Sequence, residues 1–277
     1  MRYSDLFSNS LKKFKGSDKA VDIQVLMEAV FNLTRTEFWT RKNETIKERT
    51  ALKKFYRYRA RLLKNEPIAY ILKKKEFYDL AFYVDKNVLI PRPETEILVE
   101  KAIRLIKAPA EILDIGAGSG NIAILLAKHT GSIVTAIENS KKALYVLKKN
   151  IKMHNAGDRV SPVYADLFPP AGKKFDMIAS NPPYVPEAEW GELDPTVRDY
   201  EPMAALVAGE DGMAVIRHIT AKAKDYLKPG GKLLMEIGYN QKQRVSSILK
   251  EAEFSNIGFF NDYSHIPRVA FAQMNDD

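Results

Sequence analysis

The chain has 277 residues, of which 45% are hydrophobic and 28% are charged, and its formal net charge is +8. This composition is typical of a globular protein with enough residues for one large domain or two ordinary ones. The absence of cysteine excludes disulfides, thiolate nucleophiles and cysteine-based zinc sites. No apolar run approaches the roughly 20 residues of a membrane span. Residues 1–15 lack the apolar core of a secretory signal, so we expect a cytoplasmic protein.

Residues 1–75 are predicted to form a small helical domain. The segment 21–33 has apolar residues at helical spacing, and a second helical pattern runs from residue 46 to Pro67, which is expected to end the helix. Four apolar or aromatic side chains of this second helix can line one face: Leu52, Phe55, Tyr56 and Leu63.

Positive charge is concentrated in the first third of the chain. Residues 1–92 contain 21 lysines and arginines against 11 acidic residues, a balance of +10, so the remainder carries −2. Five of these cations project from the second helix: Lys53, Lys54, Arg57, Arg61 and Lys64. Such a patch would attract an acidic partner, either a protein or a nucleic acid. The alternative is a solvated helix face, which is the more common origin of a charge run.

Residues 76–92 are predicted to form a β-hairpin linker, with two short β-like runs around Asp85-Lys86-Asn87. From residue 93 onward helices and strands alternate, which is typical of an α/β domain with a mainly parallel sheet. The predicted strands lie at 111–116, 132–138, 160–168, 175–180 and 232–238, and a possible antiparallel pair follows at 256–260 and 268–273.

A glycine-rich loop follows the first predicted strand of this domain. Gly116, Gly118 and Gly120 connect that strand to a helix, where glycines let the backbone approach a ligand closely. A dinucleotide-binding loop requires a third glycine at position 121, which is Asn121 here, so a dinucleotide-dependent dehydrogenase is disfavoured. Asp114 at the strand end suits a ligand with a cationic group better than it suits a pyrophosphate.

Acidic residues end three successive strands: Asp114, Glu138 and Asp166. A carboxylate at the second position can accept hydrogen bonds from both hydroxyls of a ribose. Asp166 could accept from an adenine amino group. Together these residues predict a ligand with an adenine, a ribose and a positive centre, and S-adenosylmethionine fits that description.

The sequence SNPPYVP follows the fourth strand, at residues 180–186. Prolines lack an N–H and hold the preceding residue in extended geometry, so the Asn181 side-chain oxygen and the Pro182 carbonyl can point together into a cleft. Tyr184 supplies a flat face for a planar group. Such an acceptor pair suits a planar NH2, which it orients toward an electrophile while it stabilises the positive charge that develops on nitrogen. An isolated Asn-Pro-Pro is more often a simple turn, but its place after the glycine loop favours the functional interpretation.

The loop resembles the Asn-Pro-Pro-Tyr motif of class I S-adenosylmethionine methyltransferases that act on planar nitrogen. Over about residues 20–277 the chain resembles the bacterial peptide chain release factor glutamine methyltransferase family. Six segments carry the resemblance: PIAYIL, VLIPRPETEILVE, LDIGAGSGNIAI, SNPPYVP, RDYEPMAAL and LKPGGKLLMEIGYNQ. The PRPETE run discriminates best, because other methyltransferases with this loop generally lack it.

The resemblance implies a Rossmann-like methyltransferase domain with a mainly parallel seven-stranded sheet over 93–277, preceded by a helical substrate-binding domain over 1–75. It also implies S-adenosylmethionine as cofactor and the following cofactor site: Asp114, Gly116, Ala117, Gly118, Ser119, Gly120, Glu138, Asp166, Leu167 and Asn181. The implied glutamine site is Asn181, Pro182, Pro183 and Tyr184, with catalysis by Asn181, Pro182 and Tyr184.

Some positions depart from the family's pattern. Many members have an aromatic residue where this chain has Leu167, so either Leu167 or Phe168 is expected to pack on the adenine. Lys73 and Asp79 stand where the family commonly has glycines, which affects the linker rather than the catalytic site.

The family methylates the side-chain amide nitrogen, N5, of the glutamine in the release factors' Gly-Gly-Gln tripeptide, so the implied partner is a release factor. The alternative is an adenine N6-methyltransferase acting on DNA or RNA, because an adenine amine satisfies the same acceptors. Against this alternative, the N-terminal region shows no recognised nucleic-acid signature. The four histidines are interpreted as surface or packing residues, so no metal site is expected, and a monomer is predicted.

Overall fold

The computed structural model describes residues 1–14 and 19–276, which divide into two compact units. The first unit contains Met1–Lys74 together with Asp194–Tyr200, and the second contains Lys75–Leu193 and the chain from Glu201 onward. The segment Asp194–Tyr200 therefore belongs to the helical unit, which a single boundary near residues 75–92 does not predict. Its anchor is the Tyr200 hydroxyl, which donates a hydrogen bond to the Lys64 carbonyl.

The first unit is helical. Its helices are α1 (Tyr3–Leu11), α2 (Ala20–Phe31), α3 (Arg35–Thr40), α4 (Arg49–Leu62) and α5 (Ile68–Leu72), with one further turn over Pro195–Arg198. A hydrophobic core joins them, with Leu26 and Met27 of α2, Phe38 of α3 and Phe55 of α4 all buried.

The apolar face of α4 differs by one residue from the predicted one. Phe55 and Leu62 are fully buried, whereas Tyr56 and Leu63 are 38% and 41% exposed. Residues seven apart share a helix face, so the buried stripe runs through Phe55 and Leu62, and the predicted membership of Tyr56 and Leu63 is wrong. The tyrosine lies instead beneath the Arg59 guanidinium, 4.8 Å from its ring centroid.

The second unit begins with a hairpin of β1 (Lys75–Phe77) and β2 (Leu80–Phe82), which pair antiparallel. Its turn is at Tyr78-Asp79, so the predicted turn at Asp85-Lys86-Asn87 is wrong. Tyr78 has a φ of +57°, and its N–H donates to the Glu96 carboxylate. The Asp85 side chain does form a turn, by accepting from the Asn87 N–H, but that turn joins no strands.

The remaining elements form an α/β fold. The helices are α6 (Pro93–Leu105), α7 (Asn121–Thr130), α8 (Lys141–Met153), α9 (Ala214–Tyr226) and α10 (Lys242–Glu251), with 3₁₀ turns at Glu187–Glu192 and Met203–Ala205. The strands are β3 (Glu111–Ile115), β4 (Ile133–Glu138), β5 (Val160–Tyr164), β6 (Phe175–Ser180), β7 (Leu227–Glu236), β8 (Ser255–Asn261) and β9 (Pro267–Gln273).

These strands form one seven-stranded sheet in the order β5-β4-β3-β6-β7-β9-β8. The strands β3 to β7 pair parallel, while β9 pairs antiparallel with β7 and with β8. This confirms the predicted mainly parallel sheet and its antiparallel final pair. Alternate residues enter cores on opposite faces: Ile112 packs with α6, α7 and α8, and Leu113 packs with α9 and α10.

The strand order reverses between β3 and β6. The pairing register of the sheet shows which strand ends lie side by side at this point. Ile115 pairs with Ser180, Ile115 also pairs with Ile137, and Ser180 pairs with Met235. The loops that follow β3, β4, β6 and β7 therefore start side by side at one edge. In open α/β sheets this edge, at the switch point, is where ligands bind. Within the two described ranges, no helix is both long and apolar enough to cross a bilayer.

Candidate active site

A cavity of about 540 Å³ opens at the carboxyl edge of the sheet, in the second unit. Its walls come from the loops that follow β2, β3, β4, β5 and β6, from the segment 202–207 and from α9. This volume is within the range of roughly 300 to 1,000 Å³ that holds a small-molecule ligand.

The glycine loop forms one wall, and its glycines have two different tasks. Gly116, Gly118 and Gly120 have φ values of +72°, +54° and +82°, a region that favours glycine. Gly116 and Gly118 line the cavity with Ala117 and Ser119. Gly120 does not; a Cβ there would lie 2.4 Å from the Leu147 side chain, so its role is close packing of the loop on α8.

Asp114, predicted as a cofactor ligand, lies beneath this loop and is not among the cavity-lining residues. Its side chain is fully buried, and Oδ2 accepts a hydrogen bond from the Ala123 N–H of α7. Oδ1 has no partner among the described residues. Burial raises the pKa of Asp114 to about 7, and the nearby Glu138 carboxylate adds to this rise. The structure therefore places this carboxyl group where it supports the loop and the start of α7.

The raised pKa predicts a pH-dependent stability. A carboxyl group whose pKa is higher in the folded than in the unfolded protein stabilises the fold below its ordinary pKa of 3.8, and this contribution is lost as the pH rises through about 7. The free energy of unfolding should therefore decrease less between these pH values in Asp114→Asn than in the wild-type protein. Urea denaturation without ligand, repeated at several pH values, measures this difference. Glu236, whose pKa is raised in the same direction, should keep part of the slope. An unchanged slope would contradict the burial of a titrating Asp114.

Glu138 and Asp166, the predicted ribose and adenine residues, both line the cavity. The Glu138 oxygens accept from the Gly118 N–H at 2.9 Å and the Ser140 N–H at 2.8 Å, which fixes the carboxylate across the cavity wall. Each oxygen has a second lone pair that can accept from a ligand hydroxyl. Asp166 accepts from the Asn139 side chain at 3.2 Å.

Leu167, rather than Phe168, faces the cavity beside Asp166. Its φ is +58°, an unusual value for leucine that directs the chain around the cavity rim. The Phe168 ring is stacked on Tyr226 with centroids 4.6 Å apart, and it packs against the core on the α9 face. The alternative that Phe168 packs on a bound adenine is therefore not supported by its position.

Asn181 is the first residue after β6, and it lines the cavity. Its Nδ2 donates to the Thr95 hydroxyl at 3.0 Å, and that hydroxyl donates to Glu236 Oε2 at 2.6 Å. The Tyr184 hydroxyl donates to Glu236 Oε1 at 3.2 Å. Thr95 and Glu236 are each 1% exposed. A continuous buried chain of hydrogen bonds thus connects α6, β7 and the Asn-Pro-Pro-Tyr loop.

Two predicted substrate residues do not face the cavity. Pro183 lines it, whereas Pro182 is buried and Tyr184 packs against the core next to α9. Burial and the Glu236 carboxylate raise the pKa of Tyr184. The flat face predicted for a planar substrate is therefore turned inward in this structure, where the tyrosine hydroxyl braces Glu236.

The backbone of the loop is held from behind by Gln241, which the sequence analysis missed. Gln241 is 3% exposed, and its Nε2 donates to the carbonyls of Tyr184 at 3.0 Å and Gly212 at 3.2 Å. Its Oε1 accepts from the Gly238 N–H. Because both ends of the amide are occupied, the side chain fixes the distance between the loop and the segment before α9.

The PRPETE and RDYEP segments, which carry part of the family resemblance, meet at Glu201. This carboxylate is buried and forms an ion pair with Arg92 at 2.6 Å while accepting from the Ile90 N–H at 3.0 Å. The next residue, Pro202, lines the cavity, as does His218 of α9. His218 is exposed, in agreement with its interpretation as a surface residue, and its place at the cavity wall was not predicted. Within the described ranges, no group of three or more acidic or histidine side chains could hold a metal ion.

Comparisons with known proteins agree with this geometry. A family model for the methyltransferase small domain matches residues 93–192, and one for the PrmC N-terminal domain matches residues 5–72. The release factor glutamine methyltransferase of Clostridium acetobutylicum is 39% identical in an alignment of 257 residues that covers 91% of this chain and 90% of that protein. The chain belongs to the release factor glutamine methyltransferase family. The Geobacter sulfurreducens member is 43% identical over 212 residues, covering 76% of this chain and 74% of that protein.

Solved structures show the same fold at lower sequence similarity. A methyltransferase from Pyrococcus furiosus superimposes with a TM-score of 0.56 at 20% identity, covering 79% of this chain and 98% of that structure. At this identity the likeness supports the methyltransferase fold alone. The assignment to the family rests on the bacterial relatives.

Proposed function

We propose that this protein transfers a methyl group from S-adenosylmethionine to the side-chain amide nitrogen, N5, of the glutamine in the Gly-Gly-Gln tripeptide of peptide chain release factors. The observation that carries the proposal is the Asn181 carboxamide at the cavity wall. Its NH2 group is occupied by Thr95, and within the described part of the chain no donor reaches Oδ1. The side chain therefore presents an acceptor beside the glycine loop.

The polar and apolar groups that line the cavity suit the cofactor, as does the volume of the cavity. The glycine loop brings backbone atoms to the wall, Glu138 offers acceptors for ribose hydroxyls, and Asp166 with Leu167 forms a polar and an apolar side for an adenine. S-adenosylmethionine, when bound, supplies an electrophilic methyl group. Asp114 would act from beneath the loop, as support for this wall.

The amide nitrogen of glutamine is a weak nucleophile because its lone pair is delocalised. Asn181 Oδ1 accepts one N–H of this amide. The Pro182 carbonyl was predicted as the second acceptor, but Pro182 is buried and is not among the cavity-lining residues, so the proposal rests on the Asn181 oxygen. A fixed acceptor orients the nitrogen and stabilises the positive charge that develops on it during the reaction. No strong base is needed, since the nitrogen loses its proton only after it has become acidic.

The basic surface of α4 is proposed to help hold the release factor. Lys53, Lys54 and Arg57 are exposed, whereas Arg61 is held in an ion pair with Glu66, so the surface has fewer free cations than the sequence indicates. No acidic residue occurs between Glu48 and Glu66. An exposed surface of one sign steers an oppositely charged partner and acts on capture more than on chemistry.

Lys53→Gln with Arg57→Gln should raise the Michaelis constant for the release factor and leave kcat unchanged. We expect an increase of roughly two- to thirtyfold at low salt, from two exposed ion pairs of about 0.2–1 kcal/mol each. The matched control is Lys148→Gln with Lys152→Gln, two exposed cations at the same spacing on α8. Steady-state kinetics at several salt concentrations measure the effect. A Michaelis constant insensitive to both salt and the α4 pair would contradict this role.

Transfer of a tritiated methyl group tests the proposed function. The acceptors, tested in parallel, are a purified bacterial release factor, its Gln→Ala variant at Gly-Gly-Gln, and DNA and RNA duplexes. Label on the intact release factor alone is the expected result. Label on a duplex instead would keep the chemistry of the site and assign it to adenine, and label on the Gln→Ala variant would place the methyl group elsewhere on the release factor.

A further inference from the structure

We propose that Thr95 and Glu236 are positioning residues that fix which end of the Asn181 carboxamide faces the cavity. The inference rests on the proposed function and concerns how its acceptor is prepared. An asparagine side chain can present either its oxygen, which accepts hydrogen bonds, or its NH2, which donates them. Only the oxygen can orient a substrate amide through its N–H groups.

Glu236 determines which group donates and which group accepts in each hydrogen bond of this chain. An ionised carboxylate only accepts, so the Thr95 hydroxyl 2.6 Å from Oε2 has to donate its single proton to it. Thr95 Oγ1 is then left with lone pairs, and it can serve Asn181 only as an acceptor. The Asn181 NH2 group turns toward Thr95 at 3.0 Å, and Oδ1 turns toward the cavity.

Burial makes this chain selective. Thr95 and Glu236 are each 1% exposed, so water does not compete for their hydrogen bonds. An unsatisfied buried partner disfavours the reversed amide orientation by roughly fivefold to over a hundredfold, so one orientation predominates. Tyr184 donates to the second Glu236 oxygen at 3.2 Å and so occupies it without reversing the chain.

The groups around Glu236 set the pH at which its protonation would reverse the direction of these hydrogen bonds. Burial raises the pKa of Glu236 to about 7, hydrogen bonds from Thr95 and Tyr184 lower it, Glu94 raises it, and Arg268 lowers it. Arg268 is itself paired with Asp262 at 3.0 Å. Protonated Glu236 would carry a donor, which can reverse the chain. Turnover should therefore fall as the pH drops through about 7.

The first test compares Thr95→Val with Thr95→Ser in methyl transfer to a release factor. Valine keeps the shape and removes the hydroxyl, so we expect kcat to fall by roughly tenfold or more, as for a misplaced reactive group. Affinity for S-adenosylmethionine, measured by calorimetry, should be unchanged. Serine keeps the hydroxyl and should restore most of kcat. Equal activity of the wild-type protein and Thr95→Val would overturn the inference, while absence of transfer by the wild-type protein would instead overturn the proposed function.

The pH profile of Glu236→Gln is a second test, and it does not depend on how well the valine variant folds. Glu236→Gln removes the titrating group, so the acid limb of kcat near pH 7 should disappear. In a double-mutant cycle, Glu236→Gln should have little further effect on kcat once Thr95 is valine, because the chain is already broken. Additive losses in the cycle, or an acid limb that persists in Glu236→Gln, would overturn the inference.

Discussion

Asn181→Ala should reduce kcat for release factor methylation by roughly a hundredfold or more, the usual cost of losing one preorganised acceptor or donor at a reacting group. The side chain lines the cavity and its polar contact within the protein is to Thr95, whereas the glycine loop, Glu138 and Asp166 form the rest of the implied cofactor site. The loss should therefore fall on the transition state, and cofactor affinity should stay close to that of the wild-type protein.

Single-turnover kinetics at saturating release factor, with calorimetric titration of S-adenosylmethionine, measure the two quantities separately. Asn181→Asp is an informative control, because it keeps an oxygen at the cavity but loses the NH2 group that binds Thr95. We expect it to be impaired less in cofactor binding than in turnover. If Asn181→Ala lost cofactor affinity and turnover by equal factors, its assignment as the substrate acceptor would be wrong.

Gly212→Ala should displace the backbone of the Asn-Pro-Pro-Tyr loop that contains Asn181. A Cβ at Gly212 would lie 2.3 Å from the Tyr184 carbonyl oxygen and 3.1 Å from the Pro186 backbone nitrogen, so the backbone itself has to move. The carbonyls of Gly212 and Tyr184 also share the Gln241 amide. Displacement of this segment by a fraction of an ångström would misplace Asn181, and we expect kcat to fall by about tenfold to a hundredfold.

Gly209→Ala is the matched control for that variant. Both glycines have a left-handed backbone, with φ of +74° at Gly209 and +72° at Gly212, so both substitutions carry a similar strain of roughly 1–2 kcal/mol. A Cβ at Gly209 meets only the Ala214 Cβ, at an ordinary 3.4 Å. Both variants should therefore have a lower thermal unfolding temperature than the wild-type protein, but only Gly212→Ala should lose most of its kcat. Equal kcat losses would show that backbone strain, and not the collision, causes the defect.

The parts of the fold that local patterns specify were predictable from the sequence. The five parallel strands, the final antiparallel pair and the glycine loop each have a signal within about ten residues, and the structure confirms them. The turn of the hairpin was not predictable, because Tyr78 adopts positive φ without being a typical turn residue. Its N–H is instead held by Glu96, which is 18 residues away.

The supports of the site were missed for a similar reason. Thr95 and Glu236 are 141 residues apart, and Gln241 is 57 residues from Tyr184, so no local pattern relates them. One signal did exist: Glu236 is a charged residue at the end of an apolar strand, as Asp114 and Glu138 are. The same reasoning that drew attention to those two carboxylates would have placed Glu236 at the switch point. Asp114 is fully buried and is not among the cavity-lining residues, so a carboxylate at a strand end does not by itself indicate contact with a ligand.

The most direct test of the central claim is tandem mass spectrometry of a release factor after incubation with this protein and S-adenosylmethionine. We predict that the peptide with Gly-Gly-Gln gains the mass of one methyl group and that fragment ions place it on the glutamine side chain. The Asn181→Ala protein should leave that peptide unmodified under the same conditions. A methyl group on any other residue of the release factor, or a glutamine that stays unmodified, would contradict the account.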